Sequence, residues 1–228
     1  MESKYRHRYL LLKISEFIVS NNIVGNCFVE SGVKQGSASV VMAKALNRKG
    51  YLFDTWTNFP HFSKFDAHSM KRRSRLKKRV KGGKDTYQEC VDNLRKNKVF
   101  GSCALIRGDI CKTIPKFVEN YKPNLFISLI HSDSDLHEPT KVTLNELWPF
   151  LVDGGMILVH DYKTKQWPGI ERSVDKFLKD KSNIHFAQIG PEVTASCLIM
   201  RDDTEQYKKG FSGIVAQVKI KFPPKKKK

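Results

Sequence analysis

The sequence predicts a doubly wound α/β fold. Short apolar runs rich in β-formers alternate with stretches of helical period, the pattern of successive βαβ units. The runs are apolar nearly throughout, LFISLI at 125–130 above all, as strands covered on both faces must be. At 228 residues the chain is long enough for one such sheet with its covering helices.

Taken in order, the chain opens with Leu10, Leu11, Ile14, Phe17 and Ile18 at helical spacing. Lys13, Ser15 and Glu16 interrupt this stretch, so it is too short and too polar for a membrane span or a secretory leader, and it reads as an amphipathic helix. Strands are predicted at Cys27–Glu30, Tyr51–Asp54, Cys103–Arg107, Leu125–His131, Met156–His160, His185–Ile189 and Ser196–Met200. Helices are predicted at Ser37–Asn47, Thr86–Asn97, Thr140–Leu151 and Ile170–Leu178. Thr86 with Glu89 reads as a capping box, and Gly154-Gly155 as a stop before the fifth strand. We expect one domain over 1–222 with a basic insertion at about 62–85, and a tail at 223–228 beginning with Pro223-Pro224.

Charge is the compositional outlier. Lys and Arg number 41 against 23 Asp and Glu, a net +18 that predicts attraction to an acidic molecule. Nine of the basic residues fall between Lys71 and Lys84 with no acid among them, and Lys225 to Lys228 add four, so the body carries only +5. The run reads either as a basic lid or as a solvated loop without a specific partner. The tail reads as a solubilising end, a localisation signal or an appended stretch. Five cysteines without CxxC spacing fit neither a disulfide framework nor a zinc site, so a reducing, cytoplasmic setting is expected.

In doubly wound sheets ligands sit at the carboxyl ends of the strands. After the first strand, Glu30-Ser31-Gly32-Val33-Lys34-Gln35-Gly36-Ser37 forms an E-x-G-x-x-x-G turn into a helix, and the second strand ends in Asp54. Glycines allow a ligand to approach the backbone, and a carboxylate some 20 residues on is placed to accept from ribose hydroxyls. Singly, the first feature is ordinary packing and the second an ordinary turn former. On consecutive βα units they point to a nucleoside-type cofactor. The turn departs from G-x-G-x-x-G, so a pyrophosphate is not the obvious ligand.

The fourth and fifth strands end in His131-Ser132-Asp133-Ser134-Asp135-Leu136-His137-Glu138 and His160-Asp161-Tyr162. Adjacent strand ends would bring Asp133, Asp135 and Asp161 to one rim with His160. Crowded carboxylates repel, so the cluster calls for a cation or for raised pKa values. Oxygen donors suit Mg²⁺ or Mn²⁺, and a histidine moves the preference toward softer metals. The alternative is that the aspartates cap helices or face water.

The stretches FVESGVKQGSA, YLFDTWTNFP, LIRGDICKTIP, HSDSDLHEPTKVTLNELWPFLVDGGMILVHDY and WPGIERSVDKF occur in the order of a known family. They resemble the macrocin O-methyltransferase (TylF-type) family of class I S-adenosylmethionine-dependent methyltransferases, over Phe28 to Phe177. The resemblance implies a Rossmann-like seven-stranded sheet, mostly parallel with one antiparallel strand. It places Glu30, Gly32, Gly36 and Ser37 at the methionine end of S-adenosylmethionine, Asp54 at the ribose, and Gly108 and Asp109 beside the adenine. Asp133 and Asp161 match ligands of a divalent metal, usually Mg²⁺, with Mn²⁺ the second choice, and Asp135 matches the general base. His160 stands where the family has an acidic ligand, and His137 where it has a tyrosine. The second change is expected to bear on acceptor contacts rather than chemistry, and for either histidine a structural or supporting role stands beside a direct one. The expected reaction is O-methylation of a sugar hydroxyl in a glycan, glycoside or nucleotide-sugar. An acceptor carrying negative charge would suit the basic run. An RNA methyltransferase, or a non-catalytic nucleic-acid-binding protein on this fold, is disfavoured because the charge is localised and no RNA-binding motif appears.

Overall fold

A computed structural model describes residues 2–67, 74–78, 84–190 and 195–221. Helix α1 (Glu2–Ser20) precedes strand β1 (Cys27–Ser31), followed by α2 (Ser37–Leu46), β2 (Lys49–Asp54), α3 (Tyr87–Lys96) and β3 (Cys103–Arg107). Then come α4 (Ile110–Tyr121), β4 (Ile127–Ser132), α5 (His137–Leu147), β5 (Leu151–Val159), α6 (Pro168–Lys179), β6 (Ile184–Ile189), β7 (Ser196–Arg201) and α7 (Lys208–Lys221). The seven strands form one sheet in the order β3-β2-β1-β4-β5-β7-β6. Neighbours among the first five are parallel, whereas β7 runs antiparallel to both β5 and β6.

Alternating side chains of each central strand enter opposite cores, which is why the strands read as unbroken apolar runs. Phe28, Leu52, Leu129, Leu158 and Leu198 face a core shared with Leu10, Leu11, Ile14 and Ile18 of α1. Val29, Phe53, Ile130, Ile157 and Ile199 face the core under α4, α5 and α6. Each such fully buried side chain contributes on the order of 1.5–3 kcal/mol by leaving water.

Three local expectations are corrected. Thr86 makes no capping box: its hydroxyl lies 3.5 Å from both Lys34 O and Trp56 O, Asp85 Oδ1 accepts from Tyr87 N at 2.8 Å, and Glu89 is drawn to Lys84 and to Gln35. Gly154 and Gly155 lie inside β5, where Gly154 takes φ 75° and the pairing with β4 shifts register between Ile127 and Leu129. The glycines thus make a bulge within the strand. The helix expected at Thr140–Leu151 starts at His137, because Asp66 Oδ1 caps its first turn by accepting from His137 N at 2.7 Å, and it gives way to a 3₁₀ turn at Trp148–Phe150.

Two helices, α4 and α7, have no counterpart among the expected elements. Pro115 inside α4 and Gly210 and Gly213 inside α7 read as breakers. Asp109 caps α4 by accepting from Cys111 N at 3.0 Å. Gly210 serves close packing, since a Cβ there would fall 2.1 Å from the Phe17 ring of α1.

Of the basic run, 74–78 is a short helix pinned by fully buried Leu76, with Arg75, Lys77 and Lys78 exposed. Residues 71–73 and 79–83, Pro223-Pro224 and the lysine tail lie outside the described residues. Among the described residues no helix is long and apolar enough to cross a membrane.

Candidate functional site

The strand order reverses between β1 and β4, and the carboxyl ends of these strands part there to leave a crevice. Backbone hydrogen bonds carry the ladder a residue past the strands and so fix the loops: Gly32 N donates to Phe53 O at 2.8 Å, Asp133 N to Ser31 O at 2.8 Å, and His160 N to Ser132 O at 2.9 Å. Over these ends lies a cavity of about 770 Å³.

Its first wall is the glycine turn. Gly32 has φ 88°, and a Cβ on it would sit 2.2 Å from Asp133 O, a backbone atom that cannot yield. The turn after β1 and the acidic loop after β4 therefore touch only because residue 32 has no side chain. Gly32→Ala is expected to destabilise the fold by roughly 1–3 kcal/mol, read as a lowered denaturation midpoint; an unchanged midpoint would show that the loops can part freely. Gly36 (φ 71°) caps α2, and Gly108 (φ 147°) turns the chain after β3; both shape the loops without lining the cavity, whereas Ser37 lines it.

Asp54 holds this turn in place. Its Oδ2 accepts from both Val33 N and Lys34 N at 2.7 Å, and its Oδ1 from Trp56 N at 2.7 Å. Oδ1 also accepts from the Thr55 hydroxyl at 3.4 Å, and Asp54 lines the cavity. Asp109 also lines it, with Oδ2 3.8 Å from His61 Nδ1. Glu30 is buried beneath the turn, taking the Ser39 hydroxyl on one oxygen and lying 3.0 Å from His131 Nδ1 with the other. Burial raises its pKa, with His131 and Ser39 acting in the opposite sense.

The second wall is acidic. Asp133, Asp135, His160 and Asp161 all line the cavity, as their positions after β4 and β5 require. Asp135 and Asp161 adopt left-handed backbone conformations, φ 66° and 58°, which Asp tolerates better than most side chains and which recur at functional loops. His160 Nδ1 lies 3.0 Å from Asp133 Oδ1 and 3.4 Å from Asp161 Oδ2, yet this buried nitrogen makes no directed hydrogen bond to either. The donor atoms of the three residues lie within 4.8 Å of one another, one nitrogen and two carboxylate oxygens. An undirected nitrogen converging with two carboxylates fits a divalent cation of mixed N/O preference.

Without a cation, the imidazolium itself neutralises the carboxylates. Burial opposes charge on His160, but Asp133 and Asp161 outweigh it and raise the pKa to about 11. For Asp133, burial is outweighed by His160, His131 and His7, and the pKa falls to about 2. His160 is raised from 6.5, so its stabilising contribution is complete below pH 6.5 and fades as pH climbs toward about 11. Asp133 is lowered from 3.8, so its contribution is present above pH 3.8 and lost as pH falls through about 2. In chelator the melting temperature should therefore lose this pair's contribution on both sides of a window between these two ordinary values. A cation taking the His160 nitrogen must expel its proton, so divalent affinity should rise with pH.

Two residues to which the sequence assigns no role complete the floor. His7 of α1 and His131 of β4 face each other with their Nε2 atoms 2.8 Å apart, and the His7 ring meets that of His160 edge-on at 4.5 Å. Burial foremost, then His131 and His160, hold the His7 pKa well below its ordinary value, so it is neutral at pH 7. Its position could have signalled it, because His7 extends the helical face of Leu10, Leu11, Ile14 and Ile18. His137, by contrast, is not in the cavity wall. It packs on Phe65 with ring centroids 4.7 Å apart and pairs with Glu138 at 2.9 Å, so it does not take the tyrosine's place against an acceptor.

Comparisons with known proteins bear on the fold and the family. Demethyldecarbamoylnovobiocin O-methyltransferase of Streptomyces niveus is 25% identical over 169 residues, 71% of this chain and 61% of the relative. The chain thus spans about three fifths of that relative's length. Among solved structures, the O-methyltransferase NovP superposes with a TM-score of 0.70 at 21% identity, covering 86% of this chain and 80% of NovP. The calicheamicin methyltransferase CalS11 superposes at 0.59 with 22% identity, covering 83% and 77%. CalS11 is also described as a TDP-rhamnose 3'-O-methyltransferase. At these identities the superpositions establish the fold. A family model described as a methyltransferase domain matches residues 29–162, from β1 through the acidic loop after β5, and on that match the chain belongs to the methyltransferase-domain family.

Proposed function

We propose that this protein is an S-adenosylmethionine-dependent, divalent-metal-dependent O-methyltransferase acting on a sugar hydroxyl. The observation that carries the reading is one cavity whose walls are a glycine turn anchored by Asp54 and a cluster of three aspartates with His160. A nucleoside end and a proton-abstracting end facing the same space are what methyl transfer to a hydroxyl needs.

S-adenosylmethionine, when bound, supplies an activated methyl group, and a divalent cation supplies positive charge that lowers the pKa of the acceptor hydroxyl. Glu30, Gly32 and Ser37 would hold the methionine end, Asp54 the ribose, and Asp109 the adenine side, while Gly36 and Gly108 shape the turns that carry them. Asp133, His160 and Asp161 would hold Mg²⁺ or Mn²⁺. Asp135 takes the hydroxyl proton as the oxygen attacks. Arg8, Lys34, His61 and Lys84 line the same cavity, so an anionic acceptor such as a nucleotide-sugar is the favoured class, and Lys84 ends the basic run.

Asp54→Asn turns an amide NH₂ toward either Trp56 N–H or the Val33 and Lys34 amides, a donor against donors. Loss of one such charge-assisted contact, about 1.5–3 kcal/mol, should weaken cofactor binding about 10- to 100-fold by calorimetry. Unchanged affinity would remove Asp54 from the cofactor site. The decisive test of the whole reading is transfer of labelled methyl to a panel of free sugars, nucleotide-sugars and RNA, with and without Mg²⁺. Labelling of sugars alone supports it; labelling of RNA alone overturns the acceptor class.

A further inference from the structure

Methyl transfer as just described gives no task to His7 and His131, yet both are buried polar residues at the floor of the cavity. Their Nε2 atoms lie 2.8 Å apart. On its far side His131 Nδ1 lies 3.0 Å from Glu30 Oε1, and Glu30 is itself tied to the Ser39 hydroxyl. The ligand atoms of His7, His131 and Asp133 all fall within 4.8 Å of one another.

Two features go beyond a hydrogen bond between rings. A carboxylate on the outer nitrogen of an imidazole is the arrangement that orients metal-ligating histidines and raises their basicity. Here Glu30 supplies it on Nδ1, and His131 Nε2 is turned toward His7. A third donor then converges from another direction, because Asp133 stands two residues beyond His131 at the carboxyl end of β4. The three donors come from α1 and from β4 with its following loop, elements that a bound ion would tie together.

We propose that His7, His131 and Asp133 form a second cation site that takes borderline transition-metal ions such as Zn²⁺ or Co²⁺ in preference to Mg²⁺ and shares Asp133 with the His160–Asp161 group. Two imidazole nitrogens and one carboxylate oxygen are the donor set of such ions, whereas Mg²⁺ demands oxygen. His7 and Asp133 both line the cavity, so a fourth coordination position would open onto it. The site stands apart from methyl transfer, since its occupancy is measurable with no cofactor or acceptor present.

The experiment titrates the untagged full chain, stripped of metal, with Co²⁺ and follows the visible ligand-field bands. Wild type is expected to take two equivalents. His7→Ala and His7→Gln are each expected to take one and to lose the bands of the nitrogen-rich site, while His160→Gln keeps those bands. His7→Gln leaves His131 a hydrogen-bond partner, so its loss of Co²⁺ separates coordination from mere structural support. Far-ultraviolet circular dichroism and S-adenosylmethionine binding, read on the same samples, report the fold and the methyltransferase reading independently. Wild-type protein that binds Co²⁺ without the nitrogen-rich bands overturns the proposal, as does a His7→Gln protein with the wild-type stoichiometry and spectrum. A single equivalent whose bands depend on His7 and survive His160→Gln supports it and overturns only the His160–Asp161 site.

Discussion

Asp135→Asn is expected to lower methyl transfer about 10²- to 10⁴-fold while leaving S-adenosylmethionine affinity unchanged, measured by single-turnover labelling alongside calorimetry. That range is what a positioned general base contributes. The substitution is informative because Asn also tolerates the left-handed backbone that residue 135 adopts at φ 66°, so the loop keeps its course while the acid–base function is lost. The cofactor-side contacts start from Asp54 and the glycine turn, whose Val33 and Lys34 amides donate to Asp54 rather than to Asp135. A variant that turns over at the wild-type rate would remove Asp135 as the base, and one that also loses cofactor would make its role structural.

Chelation is expected to abolish turnover, with Mg²⁺ or Mn²⁺ restoring it. A sugar hydroxyl is a weak acid, and several kcal/mol of charge stabilisation at its oxygen corresponds to a loss of three orders of magnitude or so when the cation is gone. His160 makes this a sharp test. Its pKa of about 11 lets the imidazolium occupy the space between Asp133 and Asp161 in the cation-free protein, a single positive charge in place of two. Full activity after exhaustive EDTA treatment would mean that this imidazolium suffices and that the metal reading is wrong. A pH-dependent release of about one proton on Mn²⁺ binding would identify His160 as the group displaced.

Both predictions concern residues that could be read from their places after strands. Asp133, Asp135, His160 and Asp161 follow β4 and β5, and the strand apolarity that located those strands also located the loops. Glu30 and Asp54 are legible the same way, whereas Asp109 comes from the family resemblance. Less legible was what each side chain touches. Asp54 reads as a ribose acceptor and proves also to carry two amides of the glycine turn on Oδ2. His137 reads either as bearing on acceptor contacts or as structural, and it faces Phe65 and Glu138, the structural outcome. Local signals also failed where a distant residue supplied the partner: Asp66 caps α5 from 71 positions away, and Asp85 rather than Thr86 caps α3.

By itself the sequence determined the doubly wound class, the seven strand positions and the rim on which the chemistry would stand, because burial on both faces and the two-residue alternation of strands leave their mark in every run. Tertiary structure alone decided that β7 inserts between β5 and β6, that Gly32 lets the turn after β1 touch Asp133, and that α1 delivers His7 onto His131. The reason is physical. Periodicity records which face of an element is buried, but it carries no information about which buried face meets which, and a cluster drawn from residues 7, 30, 131 and 160 exists only once the sheet has closed beneath its helices.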